Sequence, residues 1–187
     1  MAAFFFALLA LTALTGTVVL IALLLAARRD PDGQAAGLLA DVAPAALPLA
    51  AVVAATCMIG SLYFSEIAHL VPCELCWYQR IAMYPLAPML GIAAVRGDLG
   101  IRLYAWVLAA SGAVIAAYHY VIEWVPDLEA TACSAEVPCT VPYFREFGFV
   151  SIAFMALCGF LAIATLLYVA AHARVTDRAG ATEEVVQ

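Results

Sequence analysis

The sequence predicts an all-α integral membrane protein that crosses the bilayer five times. Three observations lead there. Of 187 residues, 67% are hydrophobic and 12% charged, whereas soluble domains run near 45–50% apolar and about 25% charged. Five apolar stretches reach or approach the roughly 20 residues that a spanning helix needs. The arginines fall on alternate connections between those stretches. Backbone polar groups must be satisfied inside lipid, so spans of this composition are helices. The chain length suits one helical bundle. The net charge is −6 and no basic patch exists, so the electrostatic footprint of a nucleic-acid binder is missing.

In chain order, Ala2–Ala27 carries no charge. Its start, MAAFFF, lacks the positive residues of a signal peptide, and its apolar run is longer than a signal core, so it reads as a true span. Pro44–Leu70 is apolar apart from Glu66 and His69 near its end. Trp77–Val95 is shorter, with Arg80 near its start; Ile101–Trp124 begins with Arg102 nearby and ends with His119 and Glu123. Phe147–His172 is clean apart from its last residue. The connection Arg28–Val42, rich in Asp, Gly and Ala, carries no assigned chemistry. The connection Val125–Glu146 reads as irregular, because Pro126, Pro138 and Pro142 break helices and four acidic residues keep it wet. The polar tail Val175–Gln187 is expected to be disordered. There is no internal repeat.

Orientation follows from arginine placement. Arg28, Arg29, Arg96, Arg102, Arg174 and Arg178 lie on one set of joins, and only Arg80 and Arg145 on the other. The positive-inside rule puts the first set in the cytoplasm. Cys73, Cys76, Cys133 and Cys139 then face the extracytoplasmic side, where disulfides persist. Cys57 and Cys158 fall within apolar runs and read as small core fillers.

The stretch VPCELCWYQR holds the most specific signal. Cys73 and Cys76 are separated by two residues, follow Pro72, and stand where the helical run resumes at Trp77. A thiolate at a helix N-terminus is stabilised by the dipole and by free backbone N–H groups. Arg80, four residues beyond Cys76, shares its helix face and lowers a thiol pKa further. This profile is that of a redox thiol. Two alternatives stay open on spacing alone: structural disulfides, and a zinc site built from two cysteine pairs, although CSAEVPC is wider than the usual zinc spacing. Arg80 alone would read as a residue snorkelling to the headgroups; beside the cysteine pair it is a candidate for an anionic redox partner. His119 is a candidate hydrogen-bond donor to a carbonyl or quinol oxygen, because intramembrane ionisable groups are functional by default. Trp77, Tyr78, Tyr118, Tyr120 and Trp124 read as an interfacial aromatic belt.

CELCWYQR followed by IAMYPL (Ile81–Leu86), with a later cysteine pair at Cys133 and Cys139, closely resembles the disulfide bond formation protein B family (DsbB) and its BdbC branch. The resemblance covers roughly Pro44–His172. It implies a four-helix transmembrane bundle that reoxidises an extracytoplasmic thioredoxin-fold thiol oxidase of the DsbA/BdbD kind. The electrons would pass to the membrane quinone pool, ubiquinone or menaquinone, in the cytoplasmic (inner) membrane. By resemblance, Cys73–Cys76 is the inner disulfide, with Cys76 as the thiolate that meets the quinone and Cys73 as the partner of the loop pair. Cys133 forms the mixed disulfide with the oxidase and Cys139 is its mate. Arg80 and His119 hold quinone oxygens, with Gln79 nearby.

The chain departs from the common form by carrying an extra N-terminal transmembrane helix. Its expected organisation is residues 1–43 as that helix and a cytoplasmic connection, 44–174 as the catalytic bundle, and 175–187 as a polar cytoplasmic tail. A vitamin K epoxide reductase-like oxidoreductase uses related chemistry, but its CxxC follows the loop pair, and here it comes first. A non-enzymatic membrane protein with structural disulfides or a metal site leaves the placement of Arg80 unexplained.

Overall fold

The computed structural model describes residues 1–129, 133 and 136–186, with residues 173–186 as backbone course alone. Five α-helices carry the described chain: α1 (Ala2–Arg29), α2 (Gln34–Leu62), α3 (Glu74–Arg96), α4 (Arg102–Ile122) and α5 (Ile152–Val186). A π-helical turn, Tyr63–Ile67, extends α2. Helices α1, α2, α4 and α5 are long and apolar enough to cross a membrane. α3 has the length, 23 residues or about 35 Å at 1.5 Å per residue, but is more polar, holding Glu74, Gln79 and Arg80 in its first two turns. The protein is a multi-pass, all-α membrane protein.

α2, α3, α4 and α5 form a ring in which α2 packs on α3 and α5, and α4 packs on α3 and α5; α1 lies along the seam between α2 and α5. Small residues allow the close approach. Ala43, Ala46, Ala50 and Ala54 follow one another on the buried face of α2, a spacing that lets helix backbones meet. Phe160, Leu86, Leu90, Ile163 and Leu167 fill the centre. Gly112 on α4 sits directly against the Phe160 ring, which a Cβ would strike. At the far end of α1, the Arg28 guanidinium donates to the Tyr168 hydroxyl at 2.9 Å. Only 11% of the apolar window of α1 is buried, so most of its circumference is left to lipid.

Two boundaries and the role of one group of side chains differ from the sequence expectation. α2 begins at Gln34, so residues 34–42 are helix and the connection shrinks to residues 30–33. The cause is the run QAAGLLADVA, mostly good helix formers, which lets the helix extend ahead of Pro44. α5 continues to Val186 through residues expected to be disordered; Ala, Arg and Glu there sustain a helix already nucleated by the span. The aromatic residues of α4 also do more than form a belt. The Tyr118 hydroxyl donates to the Leu128 carbonyl at 3.2 Å and Tyr120 to the Phe149 carbonyl at 3.1 Å. They tie the long connection down onto the bundle, and Tyr143 adds a 2.7 Å bond to the Val71 carbonyl.

The Gly112–Phe160 contact leaves no room for a side chain. Gly112→Val is expected to destabilise the protein by about 1–3 kcal/mol through overpacking, seen as a lower thermal midpoint in detergent. Gly16→Ala, whose Cβ would meet nothing within 4 Å, is the comparison and should not lower it.

Candidate functional site: a thiol pair between a loop disulfide and an apolar cleft

Cys73 is the N-cap of α3. Its backbone is extended (φ −71°, ψ 172°), and its sulfur accepts from the Cys76 N–H at 3.4 Å. Pro72 ahead of it cannot continue a helix inward, and Glu74 opens the first turn, so the chain places one thiol at the cap and the next one turn inside. The two sulfurs lie 2.8 Å apart, unbonded. Cys133 and Cys139 are joined in a disulfide with Cα atoms 5.9 Å apart. Cys73, Cys139, Leu75 and Ile122 form one buried cluster, with Cys76 and Cys133 packed against it. The structure thus brings all four cysteines to one end of the bundle.

His119 on α4 ties these parts together. It is buried, only 4% exposed. Its Nε2 lies 3.2 Å from the Cys139 carbonyl and its Nδ1 lies 2.9 Å from Gln79 Nε2. A carbonyl only accepts, so Nε2 carries the hydrogen and Nδ1 accepts from the Gln79 amide. The same Nε2–H faces the Cys73 sulfur at 3.8 Å.

The pair gives up its first proton readily. Standing ahead of the span, the Cys73 thiol is drawn down from 9.0 to about 4, first by the hydrogen bond from the Cys76 thiol and, against the opposing effect of burial, by His119. Once one proton has left, the two sulfurs share the other through their hydrogen bond.

Arg80 points elsewhere than at Cys73. Its Nη2 donates to the Ser61 carbonyl at 3.1 Å, and its guanidinium lies 5.1 Å from the Trp77 ring centre and 5.9 Å from that of Tyr84. Tyr84 in turn donates to Ser61 Oγ at 3.2 Å. Ser61 and Tyr84 hold the arginine; Tyr84 belongs to the IAMYPL stretch but had no role assigned from sequence, and Ser61, a lone serine in an apolar run, gave no pattern to find it by. Arg145, in the loop, donates to the Glu123 carbonyl at 2.6 Å and lies 4.0 Å from the Trp124 ring centre, which clamps the chain where it returns to α5. His69 is exposed in a left-handed turn (φ 55°) after α2.

A cleft of about 500 Å³ opens beside the thiols, lined by Cys76, Gln79 and Arg80 at one end and then by apolar residues of α1, α2, α3 and α5. Cys73 and His119 are not among its lining residues. The sequence expectation that His119 holds a quinone oxygen finds the ring off the cleft, with both nitrogens engaged by protein groups. Cys57 lines the cleft against Gly159, while Cys158 is buried. For a metal, the donor atoms of Cys73, Cys76 and His119 lie within 4.8 Å of one another. A four-thiolate site is not assembled here, since Cys133 and Cys139 are bonded to each other.

The family model described as Disulfide bond formation protein DsbB matches residues 43–170, more than half of the chain. The chain belongs to the DsbB family. It is similar to Disulfide bond formation protein C of Bacillus subtilis (strain 168), 49% identical over 113 residues that cover 60% of this chain and 82% of the relative. It is likewise similar to two proteins of Bacillus anthracis. Probable disulfide formation protein C 1 is 51% identical over 112 residues, 59% of this chain and 81% of the relative. Probable disulfide formation protein C 2 is 45% identical over 123 residues, 66% and 88%. No solved structure matches the chain. As a DsbB-family member, this is a disulfide-forming membrane protein and an oxidoreductase acting on thiols.

The low position of Cys73 is testable by its thiolate ultraviolet absorbance in the dithiol form. A depressed pKa keeps the thiolate present above about 4 and loses it as pH falls through about 4. Any stability the thiolate contributes is full above about 9 and is lost progressively as pH falls from there to about 4. His119→Ala should move the midpoint upward, and Cys76→Ala should move it further, because the Cys76 hydrogen bond is the larger cause.

Proposed function

We propose that this chain is a thiol:quinone oxidoreductase. It reoxidises an extracytoplasmic thioredoxin-fold thiol oxidase and passes two electrons to a membrane quinone, ubiquinone or menaquinone. The observation that carries the reading is the split orientation of one cysteine pair. Cys76 lines the apolar cleft, while Cys73 is buried against the loop cysteine Cys139. Dithiol electrons arriving at the loop thus have a short route to a hydrocarbon-lined space.

The residues fit a quinone. Arg80 has donors left over after its bond to Ser61, Gln79 and the Cys76 sulfur sit beside it, and the remaining lining is mostly apolar, with a few hydroxyls such as Thr12, Thr17 and Thr56, as suits a ring with a hydrocarbon tail. When bound, the quinone supplies the oxidant, taking up two electrons and two protons. Arg80 stabilises negative charge developing on an oxygen there, in a low dielectric where such a donor acts most strongly.

The chain's own steps are thiol–disulfide exchanges. A partner thiolate attacks Cys133, the Cys133–Cys139 bond breaks, and Cys139 leaves as thiolate. The partner's second thiolate attacks its own sulfur of the mixed disulfide, which leaves the partner oxidised and the loop pair reduced. A loop thiolate then attacks Cys73 of the Cys73–Cys76 disulfide, and Cys76 leaves as thiolate. With Cys73 held in that mixed disulfide, the two inner sulfurs no longer share a proton. Cys76 then stands as a thiolate near Arg80. The second loop thiolate attacks its mate in the mixed disulfide, reforms Cys133–Cys139, and releases Cys73 as thiolate. The Cys73–Cys76 bond then closes again, and the two electrons it gives up, with two protons, would go to the quinone held beside Arg80. His119 is a positioning residue, holding Cys73 and the Cys139 segment in register.

The arginine distribution supports an extracytoplasmic placement of both pairs in the inner membrane. Residues 44–174 form the catalytic bundle in this reading. Residues 1–43 hold the added helix and its cytoplasmic connection, and 175–187 form a cytoplasmic tail.

Dithiol-dependent quinone reduction by the purified protein tests this. Turnover should vanish in Cys76→Ser. In Arg80→Ala, kcat/KM for quinone should fall by about 10²-fold, while trapping of the partner on Cys133 in a Cys139→Ala background persists. Absence of turnover with both a benzoquinone and a naphthoquinone by folded parent protein would contradict the proposal.

A further inference from the structure

We propose that α1, the helix outside the family match, forms the wall along which the prenyl tail of the quinone lies. It would therefore set how strongly this chain prefers tailed over tail-free quinones. The inference rests on the quinone reading of the cleft given above. The cleft does not stop at the thiol end. It follows α1 from Phe6 to Leu20 and α5 from Ile152 to Leu166. Fourteen residues of helix rise about 21 Å, roughly two thirds of the ~30 Å hydrocarbon thickness. A quinone ring needs only the polar end beside Cys76, and what remains is a long space lined mostly by apolar side chains.

Continuity decides the occupant. A ring placed at Cys76 and Arg80 has its tail directed into the same cleft, since both ends belong to one cavity. The family match begins at residue 43, so the α1 side of that cavity is an addition to the matched bundle. α1 is anchored for the task at both ends. Phe6 lies on Gly60, where a Cβ would come within 2.9 Å of the ring, and 5.4 Å from the Phe64 ring centre. Arg28 bonds Tyr168. Between the anchors, Ala13 and Gly16 present little side chain, and a Cβ on Gly16 would meet no protein atom within 4 Å. Gly16 is exposed and belongs to the cleft lining, so a side chain there enters its open side.

The series Gly16→Ala, Gly16→Val and Gly16→Leu fills that room stepwise. None of the three introduces a Cβ clash, and each replaces glycine with a better helix former. KM is measured in detergent for polyprenyl-tailed and tail-free members of one benzoquinone and one naphthoquinone series. The ratio of KM for the tailed quinone to KM for its tail-free counterpart should climb with side-chain size, by about tenfold for leucine, as expected from displacing about two buried methylenes. A ratio unchanged across the series would overturn the inference and leave the cleft beyond the ring to lipid acyl chains, with the quinone function intact. Parent protein that turns over neither quinone overturns the functional reading itself, and this inference with it. Thermal midpoints of the three variants at or above that of the parent separate a tail effect from misfolding.

Discussion

His119 accepts from Gln79 on α3 through Nδ1 and donates to the Cys139 carbonyl through Nε2, with the Cys73 sulfur beside the same N–H. One buried ring on α4 thereby fixes the start of α3 relative to the loop that carries the outer disulfide. Both nitrogens are used, so the ring has one tautomer and one orientation. Losing either partner leaves a buried polar atom unpaired, at a cost of about 1–3 kcal/mol. The position of Cys73 between its cap role and Cys139 depends on this ring, and so does the proximity of the two cysteine pairs.

In the proposed reading, the rest of the fold keeps a wet reaction next to a dry one. The loop is tied down by Tyr118, Tyr120, Tyr143 and Arg145, each bonding to a main-chain carbonyl, so its disulfide stays over the end of the bundle. Below it, alanine-rich faces and Gly112 bring the helices close, and the cleft forms where α1 meets the α2–α5 seam. Cys76 occupies the boundary. Its helix position gives it the cleft, and its mate at the cap gives it the loop. A single CxxC turn thus spans the two environments without any moving part being required between Cys73 and Cys76.

Much of this was legible in the residues. The spans show because hydrocarbon-facing helices must be apolar over their full length, and CELCWYQR shows because a two-residue gap at a helix start has few other uses. Boundaries in amphiphilic sequence were less legible: residues 34–42 mix Ala and Leu with Gly and Asp, and helix wins there because the good helix formers outnumber the others and the run continues directly into the span. The Ser61 partner of Arg80 was not legible, because it is 19 residues away in sequence and meets it only when α2 packs on α3. His119 was found as a notable residue for its ionisable side chain in a span, but its neighbours were not, since Gln79 and Cys139 reach it from two other segments. The part played by α1 in the cleft is a packing result and has no local signature.

The central claim is that electrons leave the chain through the Cys73–Cys76 pair into the membrane cleft. A single-turnover experiment on a variant lacking the outer pair, Cys133→Ser with Cys139→Ser, tests it most directly. The fully reduced variant is mixed with quinone in detergent, and thiols and quinol are counted together. The account predicts that Cys73 and Cys76 are lost as thiols and joined in a disulfide, with one quinol formed per pair. Thiols that persist at Cys73 and Cys76 in folded protein, with no quinol formed, would contradict it.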